Sequence, residues 1–210
     1  ASARDDRIRH VLQKGVQLTI RSQSSEGGWY YSPMANQDEG SVTITQVQAL
    51  RAARNAGIDV ERGVIDRAIG YIGRSQNPDG GIRYRVQDQG PSRPAISAAG
   101  MAVLFHAGIR NEETQRMLDQ GREFLRANSL GQSATASRGH YFYEQFYLAQ
   151  AMFFYGGGEW EEYWPAARDA IAGMQQPDGS WQGQSGSAID SAMALFVLQI
   201  PLRYLPVLQE

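Results

Sequence analysis

The sequence contains no cysteine. That excludes disulfides, thiolate catalysis and any zinc site that uses a cysteine ligand. Histidine is scarce. The three are His10, His106 and His140, and none belongs to a His-Glu-x-x-His pattern, so no metal site and no cofactor is expected. Lysine is nearly missing, with Lys14 as the only one, and the arginines are scattered rather than clustered. Formal net charge is -2 and the isoelectric point is about 6.0, which gives no broad attraction to nucleic acid or to an anionic membrane. Long apolar runs are also lacking. The longest, from Ala95 to Ile109, falls short of the roughly 20 residues a bilayer needs. No signal peptide is legible at the start, Ala1 to Asp6. The expectation is a soluble chain, cytoplasmic or periplasmic, without a transmembrane segment.

What is present is a core-forming apolar fraction, 42% over 210 residues, and 23 glycines. Some of the glycines recur in a pattern. Gln23-Ser-Ser-Glu-Gly27-Gly-Trp29, Gln76-Asn-Pro-Asp-Gly80-Gly-Ile82 and Gln175-Gln-Pro-Asp-Gly179-Ser-Trp181 each read Gln, three residues, Gly, one residue, then a large apolar side chain. The first two lie 53 residues apart and the next two 99, close to twice a repeat of about 50. Thr135 to Tyr141 is a degenerate copy that keeps the glycine, Gly139, and the aromatic residue but not the glutamine. Pro fixes φ, Asp bonds to nearby backbone, and Gly accepts positive φ, so these segments predict tight turns. The Gln amide is expected to satisfy exposed backbone groups at the helix end or in the turn, with the Trp covering it.

Two kinds of helix flank the turns. Residues 6–22, 61–74, 112–127 and 160–175 carry apolar residues at spacings of three and four with a charged opposite face, the pattern of one-sided outer helices. In the first, Ile8, Val11, Leu12, Val16 and Ile20 form the apolar face. Residues 42–57, 95–108, 141–156 and 188–200 carry little charge and many small or aromatic residues, which predicts inner helices packed on most sides. Gly57, Gly108 and Gly156 are the expected terminating residues. The chain therefore reads as a single all-α domain over 1–210, with approximate repeats 5–57, 61–108, 111–156 and 160–205.

The Gln-x-x-x-Gly-x-Trp turn at this spacing resembles the repeat of squalene–hopene cyclases and protein prenyltransferase β subunits. The segments Ser41-Val-Thr, Gly139-His-Tyr-Phe-Tyr and Ala192-Met-Ala-Leu, with Leu202-Arg-Tyr-Leu-Pro, are similar to bacterial repeat proteins of that superfamily. The resemblance implies an α/α toroid, commonly of six helix pairs. Four pairs are legible here, so the expectation is an incomplete arc, with missing upstream repeats or a homo-oligomer completing the ring. The cyclases protonate an alkene with an Asp-x-Asp-Asp motif, which this sequence lacks; Asp5-Asp6 is the nearest match. The prenyltransferases hold zinc with Asp, Cys and His, and this chain has no cysteine.

Candidate site residues remain. His140 and Glu144, four apart at the start of the third inner helix, can touch, and Tyr143 and Tyr147 share a face. They form either an aromatic core with a structural His–Glu pair or a polar–aromatic patch facing a cavity. Asp190 is either a helix N-terminal group or a cavity acid. Arg93 can meet a carboxylate or an anionic ligand. Tyr141, Trp29 and Trp181 are further ligand-binding candidates, and Thr43, Thr45, Gln46 and Gln48 divide between lining and packing. His10 reads as solvated, and His106 as a helix-end or core histidine. Three functions follow: a binding or scaffold module for a peptide, lipid or glycan; a terpene-cyclase-like enzyme with Asp190 or Glu144 as acid; or a polysaccharide-active enzyme using His140, Tyr143 and Arg138 for β-elimination.

Overall fold

The structure, a computed structural model, describes residues 3–130 and 139–204. Eight helices follow one another among these residues: α1 (Ala3–Arg21), α2 (Gly40–Asn55), α3 (Arg62–Ser75), α4 (Pro94–Ala107), α5 (Glu112–Asn128), α6 (Tyr141–Tyr155), α7 (Gly157–Gly173) and α8 (Ser187–Gln199). No strand longer than a single bridge occurs among the described residues. The apolar periodicity therefore yields an all-α protein.

Local chemistry sets the helix ends. Asn111 and Thr114 form a reciprocal capping box at the start of α5. Gly57 and Gly108 end α2 and α4 at φ 73 and 67, the left-handed conformation that only glycine adopts cheaply. Gly156 departs from that expectation. Its φ of 69 is paired with a ψ of -165, and it links α6 directly to α7, which starts at 157 and not at 160.

The helices sort into two layers. The even-numbered helices pack one on the next, with α4 against α6, α2 against α4 and α6 against α8 as the most extensive contacts. In α4 every residue from Ile96 to Leu104 is buried, which explains its run of Ala and Gly: large side chains all round would hold the neighbours apart. Helices α3 and α5 bury one face each, built on Val64, Ile65, Ala68 and Ile72 and on Met117, Leu118, Phe124 and Leu125. Each of these side chains larger than alanine contributes about 1.5–3 kcal/mol by leaving water.

Helix α1 differs from its counterparts. Of its apolar face only Val16 is buried and Ile20 half-buried; Ile8, Val11 and Leu12 are 49%, 60% and 48% exposed. The same periodicity that buries a face of α3 leaves this face of α1 exposed among the described residues.

The turns are built alike. Gln23 Nε2 donates to the Gly27 carbonyl, Gln76 to Gly80 and Gln175 to Gly179, at 2.9, 2.9 and 3.0 Å. Gly27, Gly80 and Gly179 have φ of 90, 86 and 85. Asp79 and Asp178 accept from the backbone N–H two residues on, as Pro-Asp-Gly turns require. The indole N–H groups of Trp29 and Trp181 donate to the carbonyls of Thr19 and Ile171, ten residues back in the preceding outer helix. The backbone N–H of the aromatic or apolar residue donates to a hydroxyl of the following inner helix: Trp29 to Thr43, Ile82 to Ser97 and Trp181 to Ser191.

The Gln also reaches forward. Gln23 Nε2 donates to Val64 O in α3, and Gln76 Nε2 to Met117 O in α5, each across 41 residues. The turn thus ties its own repeat to the next outer helix.

Candidate functional site

The N-cap positions of three successive inner helices lie side by side, and they carry Glu39, Arg93 and His140. Glu39 behaves as a cap. Its carboxylate is fully buried and accepts from Val42 N at 2.6 Å, Ser41 N at 3.1 Å and the Ser41 hydroxyl at 2.6 Å. A buried anion at a helix N-terminus is favoured by the exposed N–H groups there. Arg93 and His140 make no side-chain capping bond. Neither is a residue a helix start prefers, and His140 holds a left-handed φ of 64 without being glycine.

Above these positions is a cavity of about 370 Å³, lined by Tyr31, Ser41, Tyr84, Arg93, Pro94 to Ile96, Gly139, His140, Tyr143 and Glu144. It lies where α2, α4 and α6 begin, and it opens past Tyr31, which is 67% exposed. The Tyr31 and Tyr84 hydroxyls are 3.2 Å apart, and the Arg93 guanidinium lies 5.1 Å from the Tyr84 ring centroid. Burial, reinforced by Tyr31 and Glu39, pushes the Tyr84 hydroxyl well above the usual phenol range. Tyr143 is pushed up more strongly, mainly by burial and then by Tyr147 and Glu39. Both stay neutral donors at any ordinary pH. The Tyr143 hydroxyl is buried and makes no well-formed hydrogen bond among the described residues.

The candidates from the sequence divide. Arg93, His140, Tyr143 and Glu144 are brought together on the cavity. Asp190 is not: it is 1% exposed in the first turn of α8, where its Oδ2 accepts from Gly183 N at 2.8 Å. It ties the loop after Trp181 to α8 and is not among the residues that line the cavity. Trp29 and Trp181, both 2% exposed with their N–H groups donated to outer-helix carbonyls, are framework and do not line the Arg93–Tyr143 cavity. Tyr141 and Tyr147 are buried in the packing around α6, and burial pushes both phenols up to about 12. Arg138 and residues 135–137 of the degenerate turn lie outside the described residues. Thr43 and Gln46 bond to framework atoms, Thr45 to its own helix, and Gln48 reaches Gln150 at 3.3 Å.

Sequence reasoning missed Glu39, Tyr31 and Tyr84. The two tyrosines sit in loops with no periodicity. The one signal for Glu39 was its place four positions before Thr43, a spacing that Arg93 and Ser97 repeat, with the hydroxyl donating to the backbone carbonyl in both.

A wider depression of about 880 Å³ lies at the opposite ends of the inner helices, with Arg51, Arg54, Arg62, Arg110, Asp59, Asp66 and His106 around it. His106 is fully buried. Its Nε2 lies 3.1 Å from Gln150 Oε1, and its carbonyl accepts from Arg51. Burial, with a smaller push from Arg51, lowers its pKa to about 4. Among the described residues no group of three acidic or histidine side chains is placed to hold a metal ion. Among them, too, no helix is long and apolar enough to cross a membrane.

In comparisons with known proteins, no family model matches the chain and no curated protein matches it.

Proposed function

We propose that this chain is an arc of a squalene-cyclase- and prenyltransferase-like α/α toroid that serves as a binding module, taking a glycan segment at the Arg93–Tyr143 cavity. The reading of the fold is supported by alternating outer and inner helices and by three Gln-Gly turns with matching hydrogen bonds. The reading of the site is carried by one observation: the Tyr143 hydroxyl is held inside without a well-formed partner, at the wall of a cavity large enough for a small ligand.

Tyrosine faces together with an arginine, a carboxylate and a serine hydroxyl suit a ligand whose flat apolar faces alternate with hydroxyls. A sugar ring has that character. A lipid tail does not, because it would desolvate the exposed Arg93 guanidinium without compensation. The carbocation chemistry of a terpene cyclase needs a dry, enclosed cavity. Here Tyr31 and His140 are exposed, and the buried Asp190 is held elsewhere.

The experiment is calorimetric titration with oligosaccharides of neutral and uronic type, using the wild type, Arg93→Ala and Tyr143→Phe. Binding by the wild type, weakened about tenfold in Tyr143→Phe, which corresponds to roughly 1.4 kcal/mol, supports the reading. Affinity for an extended peptide with none for glycans overturns the glycan assignment. A depolymerised product overturns the non-catalytic one.

A further inference from the structure

Among the described residues the repeat register leaves one receptor unused, in the last turn, and one plug, in α1. In the first turn, Gln23 Nε2 reaches Val64 O, and a Cβ on Gly27 would overlap the Arg67 carbonyl. In the second, Gln76 Nε2 reaches Met117 O, and a Cβ on Gly80 would overlap the Gln120 carbonyl. Each glycine is buried because an outer helix lies against it. In the last turn Gln175 donates only to Gly179 among the described residues, and both residues are exposed. Among the described residues, no helix backbone comes within 4 Å of a Cβ built on Gly179.

The inner helix beside that turn carries the same vacancy. Ser191 takes the Trp181 N–H as Ser97 takes that of Ile82, so Leu195 occupies the position of Met101. Met101 is fully buried under Gly121 of α5, where any Cβ would collide with its sulfur. Leu195 is 46% exposed.

The plug is α1. Shifted by the 53 residues that separate Gln23 from Gln76, Val11, Leu12, Gly15 and Leu18 match Val64, Ile65, Ala68 and Tyr71. The α3 residues are 0%, 4%, 0% and 1% exposed. Their α1 counterparts keep the apolar or small character, yet Val11, Leu12 and Leu18 are 60%, 48% and 47% exposed. Gly15 holds the place of Gly121, with nothing within 4 Å of a Cβ built on it.

We infer that α1 of a second copy docks on the Gln175–Trp181 turn and Leu195, in the register by which α3 meets the first turn and α5 the second. Gln175 then donates to the Val11 carbonyl of the incoming helix, and Leu195 fits beneath its Gly15. The occupant is a second copy because this chain carries both halves of the interface that it uses twice within itself. The contact is head-to-tail, so it builds a closed ring or a growing array. The inference rests on the repeat register and is independent of any ligand at the Arg93–Tyr143 cavity.

Light-scattering mass of the 210-residue chain, from micromolar to near-millimolar, is the first measurement. A mass rising to at least twice 23.2 kDa is expected. Gly15→Trp blocks the plug and Leu195→Glu blocks the receptor. Both positions are exposed, so each variant is expected to keep the helical circular dichroism and melting midpoint of the wild type, and to run as a single copy. Mixed, the two variants keep one good plug and one good receptor, and form a 1:1 dimer that grows no further. Should Gly15→Trp lose helix content, Val11→Glu takes its place. A wild type at single-copy mass throughout overturns the proposal. So does self-association of Leu195→Glu, which would mean α1 pairing with α1, or a mixture of folded variants that stays monomeric.

Discussion

Tyr143 and His106 are both polar and both mostly buried, and among the described residues neither Tyr143 Oη nor His106 Nδ1 makes a well-formed hydrogen bond. An unpaired buried polar group costs about 1–3 kcal/mol, so removing it without changing shape is neutral or stabilising. Tyr143→Phe should therefore melt at or slightly above the wild-type temperature while losing ligand affinity; a lower melting temperature would mark the hydroxyl as structural. His106 adds a pH dependence. Its folded pKa, about 4, lies below the unfolded value near 6.5. The neutral ring is thus favoured by folding: its stabilisation is full above the unfolded pKa and is lost as pH falls through the folded one. Between pH 7 and pH 5 that amounts to roughly 2 kcal/mol. Unfolding free energies from urea titrations at the two pH values should differ by this amount more in the wild type than in His106→Gln. Equal pH dependence in both would show that other groups carry it.

At concentrations where the chain is a single copy, the Gly-Gln turns provide their own internal control, because among the described residues the last one lacks the helix that the others hold. Gly80→Ala has two costs: an L side chain at a φ of 86, and overlap with the Gln120 carbonyl. Gly179→Ala has only the first, about 1–2 kcal/mol. The overlap adds roughly 1–3 kcal/mol, so Gly80→Ala should be the more destabilising by that margin in chemical denaturation. Gln76→Ala should likewise cost more than Gln175→Ala, by about one hydrogen bond, near 1 kcal/mol. Equal costs in both pairs would mean that the forward reach of Gln76 contributes nothing.

These elements also show what a sequence can disclose. The eight helices follow from apolar spacing and from Gly and Pro at their ends. The turn glutamines were legible, but their second acceptor is a backbone carbonyl 41 residues away, and a carbonyl has no side-chain signature. Arg93 stood out before Pro94, and His140 before an aromatic helix. Tyr31 and Tyr84 did not, because loop aromatics carry no period. Trp29 and Trp181 invited a ligand role because Trp often stacks on ligands; the carbonyls of Thr19 and Ile171, which take their N–H groups, are invisible in sequence.

Across the molecule, burial is graded. Helix α4 is enclosed by α2, α5 and α6, while α1 touches chiefly α2 and keeps its apolar face in water. In a repeat array, opening begins where neighbours are fewest. In the single-copy state, amide exchange should therefore be fastest in α1, slowest in α4, and intermediate in α8. Uniform protection from α1 to α8 would indicate all-or-none opening instead.

The 41-residue reach of each turn glutamine also bears on how the chain is made. When Gln23 leaves the ribosome, its acceptor at Val64 has not yet been synthesised, and Gln76 waits in the same way for Met117. Synthesis runs at about 5–20 residues per second, so each latch stays open for a few seconds. Folding trails translation by one repeat, and the nascent chain always ends in one exposed, unlatched turn.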